Sequence, residues 1–194
     1  MNRNEKKISR KGFFEELGRN FAGFFEEAFG DELDSFQKQF PDLIRPPGRT
    51  DESDFLQRCV KCGKCIRACP FIALQPVLRA NEFDRGTPTL RSGTSFCRFC
   101  EGFPCIEACP TGAISRQGNL KKIATAVCKQ KTCLRTSSIE CNACEQICSK
   151  TFKAINCRLA GHPPEILTEK CSGCGACLTV CPVTPEPALK LKGD

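Results

Sequence analysis

Residues 59–70 read CVKCGKCIRACP, with four cysteines separated by two, two and three residues and a proline after the last. Residues 171–182, CSGCGACLTVCP, have the same spacing. Two further groups vary it: residues 97–110 have four residues between the second and third cysteines, and residues 133–148 have seven between the first and second. One cysteine motif therefore occurs four times, and its members are Cys59, Cys62, Cys65, Cys69, Cys97, Cys100, Cys105, Cys109, Cys133, Cys141, Cys144, Cys148, Cys171, Cys174, Cys177 and Cys181.

The compact spacing is typical of bacterial ferredoxins, in which cysteine thiolates hold a [4Fe–4S] cluster. Three cysteines two residues apart let one loop wrap three irons, and the fourth, before the proline, usually binds the neighbouring cluster of a two-cluster module. Gly63, Gly173 and Gly175 lie inside these loops and supply the positive φ that a tight wrap requires. We therefore predict that the sixteen cysteines, as metal ligands, bind four [4Fe–4S] clusters.

Zinc sites and disulfides are the alternatives. Zinc takes two pairs of ligands with a long spacer between them, and three equally spaced cysteines do not divide in this way. Disulfide frameworks belong to small secreted chains and do not require a repeated triple spacing. The third group is the least regular, since Ser149 replaces the proline and Cys128, five residues before Cys133, is an alternative first ligand. Cys157 is left over and reads as a small buried apolar residue.

Each cysteine group is followed by an alanine and a branched aliphatic residue. Self-similarity of this kind indicates a repeated structural unit, here a ligand loop followed by a short strand. The third group shares the feature despite its irregular spacing, which favours the same role for it. The four pairs are Ala73-Leu74, Ala113-Ile114, Ala154-Ile155 and Ala188-Leu189.

Composition limits the remaining possibilities. The chain has 194 residues, no Trp and no Tyr, and its 40% hydrophobic content includes 18 cysteines, so the aliphatic core is thin and we expect folding to depend on the metal. The formal charge of +7 does not predict nucleic-acid binding, because four clusters of about −2 each would cancel it. No apolar run reaches the roughly 20 residues that a transmembrane helix needs.

Three regions are expected along the chain. Residues 1–43 form a basic tail and an amphipathic helical extension, with the helix at 12–40; residues 44–53 form a linker; residues 54–194 form the four-cluster region. Phenylalanines recur through 13–40 at helical spacing, among seven acidic and two basic side chains. This helix either packs on the ferredoxin-like region or docks a partner, and its acidic charge disfavours a membrane surface.

The stretches Arg45-Pro46-Pro47-Gly48, Phe55 with the cysteines after it, Gly86-Thr87-Pro88 and the second cysteine group resemble the ferredoxin-type proteins of nitrate reductase and methylamine-utilisation systems, the NapG/MauM type. Residues 133–189 are similar to the same group and its NapF-type relatives. The resemblance implies electron transfer, often between a membrane quinol-oxidising protein and a reductase. Exported members carry a twin-arginine signal; here Lys11 follows Arg10, and we expect a cytoplasmic location, with a periplasmic or membrane-peripheral one as the alternative.

The sequence thus predicts an α+β fold made of two tandem or nested two-cluster ferredoxin-like modules, preceded by the helical extension. The x4 spacing of the second group favours nesting, in which groups one and four share a module, as do groups two and three. The expected function is electron transfer between redox protein partners, with no catalytic site of its own. An assembly or maturation factor for a redox enzyme is the alternative.

Overall fold

The computed structural model describes residues 43–78 and 81–193. The predicted helix at 12–40 lies outside the described residues, so that prediction stands as made. The described part mixes short helices and short strands, as the predicted α+β class requires. In chain order the elements are α1 (Glu52–Arg58), α2 (Lys64–Arg67), β1 (Leu74–Pro76), β2 (Pro88–Leu90), α3 (Pro104–Glu107), β3 (Ala124–Cys128), two 3₁₀ turns (Gln130–Thr132 and Leu134–Ser137), α4 (Ala143–Ser149), β4 (Ile155–Asn156), β5 (Glu165–Ile166), α5 (Ala176–Thr179) and β6 (Leu189–Gly193).

The strands form three separate antiparallel pairs within the described residues. Strand β1 pairs with β2, β4 with β5, and β3 with β6. The β3–β6 pair joins the start of the second half of the chain to its end, with Cys128 opposite Leu189. Three of the four predicted loop-plus-strand units are present, because β1, β4 and β6 begin directly after Ala73, Ala154 and Ala188.

The short helices begin where the cysteine loops end. Helices α2, α3 and α5 each contain the third cysteine of a group, and each follows a residue with positive φ: Gly63 (67°), Phe103 (49°) and Gly175 (87°). The left-handed residue turns the chain sharply, so that the loop before it and the helix after it face the same space. Glycine at two of these positions therefore has the role that the sequence predicted.

Residues 44–48, expected to belong to a linker, are instead buried in the body of the protein. Ile44 and Arg45 are each 2% exposed, and Ile44 belongs to the main apolar core together with Leu74 and Leu90. The backbone of Gly48 bonds to Asn119 and Ser115 at 2.8 Å each. By composition, a proline-rich stretch predicts an exposed connection, but here it is buried. We call residues 44–48 the strap.

No helix in the described ranges 43–78 and 81–193 is long and apolar enough to cross a membrane.

Candidate metal centres

The sixteen predicted ligands line four separate cavities of similar size, with volumes of about 330 to 380 Å³ when their mouths are included. We number each cavity by the group that supplies most of its thiols. The first is lined by Cys59, Cys62, Cys65 and Cys109; the second by Cys69, Cys97, Cys100 and Cys105; the third by Cys128, Cys133, Cys141, Cys144 and Cys181; the fourth by Cys148, Cys171, Cys174 and Cys177.

The last cysteine of each group lines the cavity of the neighbouring group. Cys69 lies in the second cavity and Cys109 in the first, so groups one and two exchange closing cysteines. Groups three and four do the same through Cys148 and Cys181. The nested pairing expected from the x4 spacing is therefore wrong, and the modules are tandem. The two additional residues of group two are taken up in a loop with positive φ at Gly102 and Phe103, which leaves the module's pairing unchanged.

The alanines of the repeat donate backbone hydrogen bonds to the closing cysteines. The amide of Ala73 donates to Cys69 Sγ at 3.3 Å. The corresponding alanines at 154 and 188 donate to the closing sulfurs of their own groups at 3.2 and 3.3 Å. Burial alone would raise the pKa of the Cys109 thiol, but hydrogen bonds from Ile114, Thr111 and Ala113 lower it. Such bonds stabilise a thiolate, and in iron–sulfur proteins they help to set the reduction potential.

Several other thiols are buried in an apolar environment that disfavours a bare thiolate. Burial raises the pKa of Cys65, Cys97 and Cys144 to about 12 and that of Cys105 to about 11. A group of such thiols becomes anionic in one place only when a cation binds there, because metal ligation deprotonates cysteine outright. The cavities therefore suit a metal with four thiolates.

The arrangement fits a polynuclear cluster better than a single ion. Among the described residues, no group of three or more His, Cys, Asp and Glu is arranged to hold one metal ion. In each cavity at least four thiols line one common space, as the corners of a [4Fe–4S] cube require. The hydroxyl of Ser172 is buried at the fourth cavity and interacts with the Cys174 sulfur, so it would help to stabilise that thiolate as a ligand.

Hydrogen bonds and shared elements order the cavities as first, second, fourth and third. The first and second are joined by the exchange of Cys69 and Cys109, and the fourth and third by that of Cys148 and Cys181. The two modules meet where the amide of Cys97 donates to the carbonyl of Cys174 at 2.9 Å. Cys97 belongs to the second cavity and Cys174 to the fourth, so these two are the inner sites.

Comparison with known proteins agrees with the tandem arrangement. A profile described as "4Fe-4S dicluster domain" matches residues 58–113, which contain groups one and two. A second profile, "4Fe-4S binding domain", matches residues 164–183, which contain group four. No solved structure matches the chain.

Curated relatives identify the family. The ferredoxin-type protein NapG of Escherichia coli is 33% identical over 161 residues, which cover 76% of this chain and 69% of NapG. The methylamine utilization ferredoxin-type protein MauM of Methylorubrum extorquens is 35% identical over 82% of this chain and 76% of MauM. Escherichia coli NapF is 33% identical over 73% of this chain and 81% of NapF. This chain belongs to the ferredoxin-type proteins. The predicted resemblance is thereby confirmed.

The residues that carry the ferredoxin-type resemblance outside the cysteine groups meet around Arg45, which the sequence analysis had not explained. Its Nη1 donates to Thr87 Oγ1 at 2.7 Å and its Nε to Glu52 Oε1 at 2.8 Å, and Nη2 also contacts Asp84. The guanidinium lies 4.8 Å from the centre of the Phe55 ring. The strap, α1 and the turn before β2 are thus tied together beside the first cavity, which gives these stretches a structural role.

A second buried arginine, Arg135, lies at the third cavity and was also missed by sequence reasoning. Its nitrogens donate at 2.6–3.0 Å to the carbonyls of His162, Cys141, Cys157 and Leu159. Among the described residues it forms these bonds and no ion pair, so its charge is not neutralised by a carboxylate in contact with it. No spacing or motif marks this residue, because its partners are backbone carbonyls. Three of them belong to the loop after β4, and the fourth is that of Cys141.

Arg135 also borders a larger, more open cavity of about 1270 Å³, again with its mouth included. Cys141, Glu145, Cys157 and Ile139 line this space as well. Cys157 is therefore in contact with the open cavity, and it does not line the third cavity that its neighbour Cys144 helps to form.

Proposed function

We propose that this ferredoxin-type protein carries four [4Fe–4S] clusters, one in each cavity, and passes electrons along them between two redox protein partners. The observation that carries the proposal is the sorting of sixteen cysteines into four enclosed sets, each with at least four thiols. The clusters supply one-electron redox chemistry when bound. The chain supplies the ligands, the amide hydrogen bonds and the exclusion of water.

The order of the sites supports a linear path. The first and third cavities are the ends of the path, and the second and fourth are its centre. Covalent bonds lead from the second cavity to the backbone of Cys97 and from the fourth cavity to that of Cys174. The hydrogen bond between these two residues links the two modules. Helix α4 continues the route in the second module, because Cys144 in it faces the third cavity and Cys148 faces the fourth.

Exposed apolar residues at both ends of this path suit transient docking of partners. Val60 lines the first cavity and is 62% exposed, with Lys61 beside it. At the other end, Ile139 (51% exposed) lines the open cavity, and Leu159 (66% exposed) lies in the loop that binds Arg135. Redox encounters need only small interfaces. One partner of the class implied by the family, a quinol-oxidising membrane protein, and one reductase would fit two such ends.

Metal analysis of the anaerobically purified protein tests the proposal. We expect about sixteen irons and sixteen acid-labile sulfides per chain, a brown colour and full reversible reduction. A reproducible content near eight irons after complete reconstitution would contradict the number of clusters. Clusters that are released to an acceptor protein instead of being reoxidised by it would favour an assembly factor.

A further inference from the structure

The third cavity has five cysteines where the others have four. Cys128 lines it together with Cys133, Cys141, Cys144 and Cys181. A [4Fe–4S] cluster has one iron for each of four cysteine ligands. One thiol at this site is therefore surplus to the cluster, and it faces the same space as the others.

The position of Cys128 is fixed by the sheet. It is the last residue of β3 and pairs with Leu189, the first residue of β6. The next amide, that of Lys129, donates to the carbonyl of Ala188 at 2.6 Å, and the amide of Ala188 donates in turn to Cys181 Sγ. Strand pairing thus places the Cys128 thiol beside a closing ligand of the same site.

Cys133 is held by local turns and not by the sheet, with its amide bonded to Gln130 and its carbonyl to Thr136. It lies between the two 3₁₀ turns and pairs with no strand. Residues 136–140, which follow it, are all exposed. Cys128 and Cys133 are only five residues apart and line the same cavity, so either sulfur can face the same cluster space.

We propose that Cys128 is a reserve ligand of the third site that replaces Cys133 on its iron; this rests on the proposed function, since it requires a cluster in that cavity. In the exchange the Fe–S bond to Cys133 would break and one to Cys128 would form. The Cys128 thiol would lose its proton on binding iron, and the released Cys133 thiolate would take up one proton. No electron would be transferred, and the number of thiolate ligands would stay at four.

Cys157 provides the matched control. It is the other cysteine outside the four groups, and its side chain lies close to that of Cys144. It lines the open cavity and not the third one. A thiol that is merely close to a ligand, without facing the cluster space, should not substitute for it.

The experiment compares iron content and the electron paramagnetic resonance (EPR) spectrum of reduced full-length variants, reconstituted anaerobically. Cys133→Ala should keep about sixteen irons and show an altered signal from one cluster, whereas Cys128→Ala should leave both unchanged. The double variant Cys128→Ala/Cys133→Ala should fall to about twelve irons. Cys144→Ala should also fall to about twelve, because Cys157 cannot reach the site, and Cys133→Ala/Cys157→Ala should remain near sixteen.

A loss of four irons in Cys133→Ala alone, with the wild type at sixteen, would overturn the reserve ligand and leave the four-cluster proposal intact. A wild type that never exceeds twelve irons, with Cys144→Ala unchanged from it, would overturn both. If Cys133→Ala is insoluble, Cys133→Ser takes its place, because it preserves the turn. An iron content that stays at sixteen in Cys133→Ser and falls to twelve when Cys128→Ala is added supports the exchange. An iron content of sixteen in that double variant overturns it.

Discussion

At the scale of single residues, Gly173 shows why the cysteine loops contain glycine. Its φ is +73°, and a Cβ added there would lie 2.3–2.6 Å from backbone atoms of Ala124 in β3. The loop of group four therefore packs directly on a strand, and no side chain fits between them. Gly112 has a similar φ of +67° but nothing within 4 Å of an added Cβ. Comparing the two positions therefore separates the cost of positive φ from the cost of the close backbone approach.

We expect Gly173→Ala to destabilise the protein far more than Gly112→Ala. Both substitutions carry the cost of positive φ, about 1–3 kcal/mol, and only Gly173→Ala must also move the β3 backbone. The measurement is the urea concentration at which half of the visible cluster absorbance is lost under anaerobic conditions. Equal midpoints for the two variants would show that the close approach of Gly173 to Ala124 is not important for stability.

Arg135 is the residue expected to tune the third site. A buried positive charge stabilises the more negative, reduced form of a nearby cluster. Within residues 43–78 and 81–193 no carboxylate contacts the guanidinium, although Glu145 lines the same open cavity. We expect Arg135→Gln to make the potential of one cluster more negative. The change is on the order of 1–2 kcal/mol, or roughly 40–90 mV for one electron.

An EPR-monitored redox titration measures this shift. Arg135→Lys, which keeps the charge, serves as the control and should move the potential less, even though it loses several carbonyl bonds. If both variants shift the potential equally with iron content unchanged, the role of Arg135 is to hold the loop and not to supply charge.

At the scale of elements, the sequence predicted the loop-plus-strand unit but not the reason for its alanine. The structure supplies two reasons: the amide donates to the closing sulfur, and the small side chain is almost completely buried, as at Ala73 (2% exposed) and Ala154 (1% exposed). The unit after group two forms no strand, because Ser115 donates to Gly48 in the buried strap instead of to a strand partner. That pairing joins segments about 70 residues apart, which no local pattern reveals.

The amide hydrogen bond can be removed at Ala188 by substituting proline, which also enlarges a buried side chain (2% exposed). Ala188 follows Pro187; within the described part of the chain its amide donates to Cys181 Sγ, and its carbonyl still accepts from Lys129. We expect Ala188→Pro to keep all clusters and to make one potential more negative, since an N–H···S bond stabilises the reduced cluster. Ala188→Gly keeps the N–H and should leave the potential close to that of the wild type in the same titration.

At the scale of the whole molecule, the cysteine spacing predicted the ligand sets within each loop but not which loops share a module. The intervals between groups are nearly equal, so the choice between tandem and nested pairing depends on long-range packing. The strap shows the same limit. Residues 44–48 read as a linker by composition, and their burial depends on Arg45 meeting Thr87 and Glu52, which lie on other elements.

The position of the strap also locates the boundary of the metal-binding body. Residues from 42 onward form one compact unit, so deleting residues 1–41 removes the predicted extension and leaves Ile44 and Arg45 in place. We expect this variant to keep the wild-type iron content and cluster spectra. Electron transfer to the partner should weaken, because eight of the fifteen phenylalanines lie in residues 13–40 and would form a docking face for it.

Deleting residues 1–49 is the matched control, because it removes the strap as well. That variant loses the Arg45 guanidinium and leaves Asp84 without its ion-pair partner. Removing Arg45 breaks a partly buried ion pair, and removing Gly48 loses its backbone bonds to Ser115 and Asn119. Both losses are destabilising, so we expect loss of iron from groups one and two. Iron content, cluster spectra and the rate of reduction by the partner distinguish the outcomes. If the shorter deletion also loses clusters or precipitates, residues 1–41 stabilise the body itself, and the docking role is wrong.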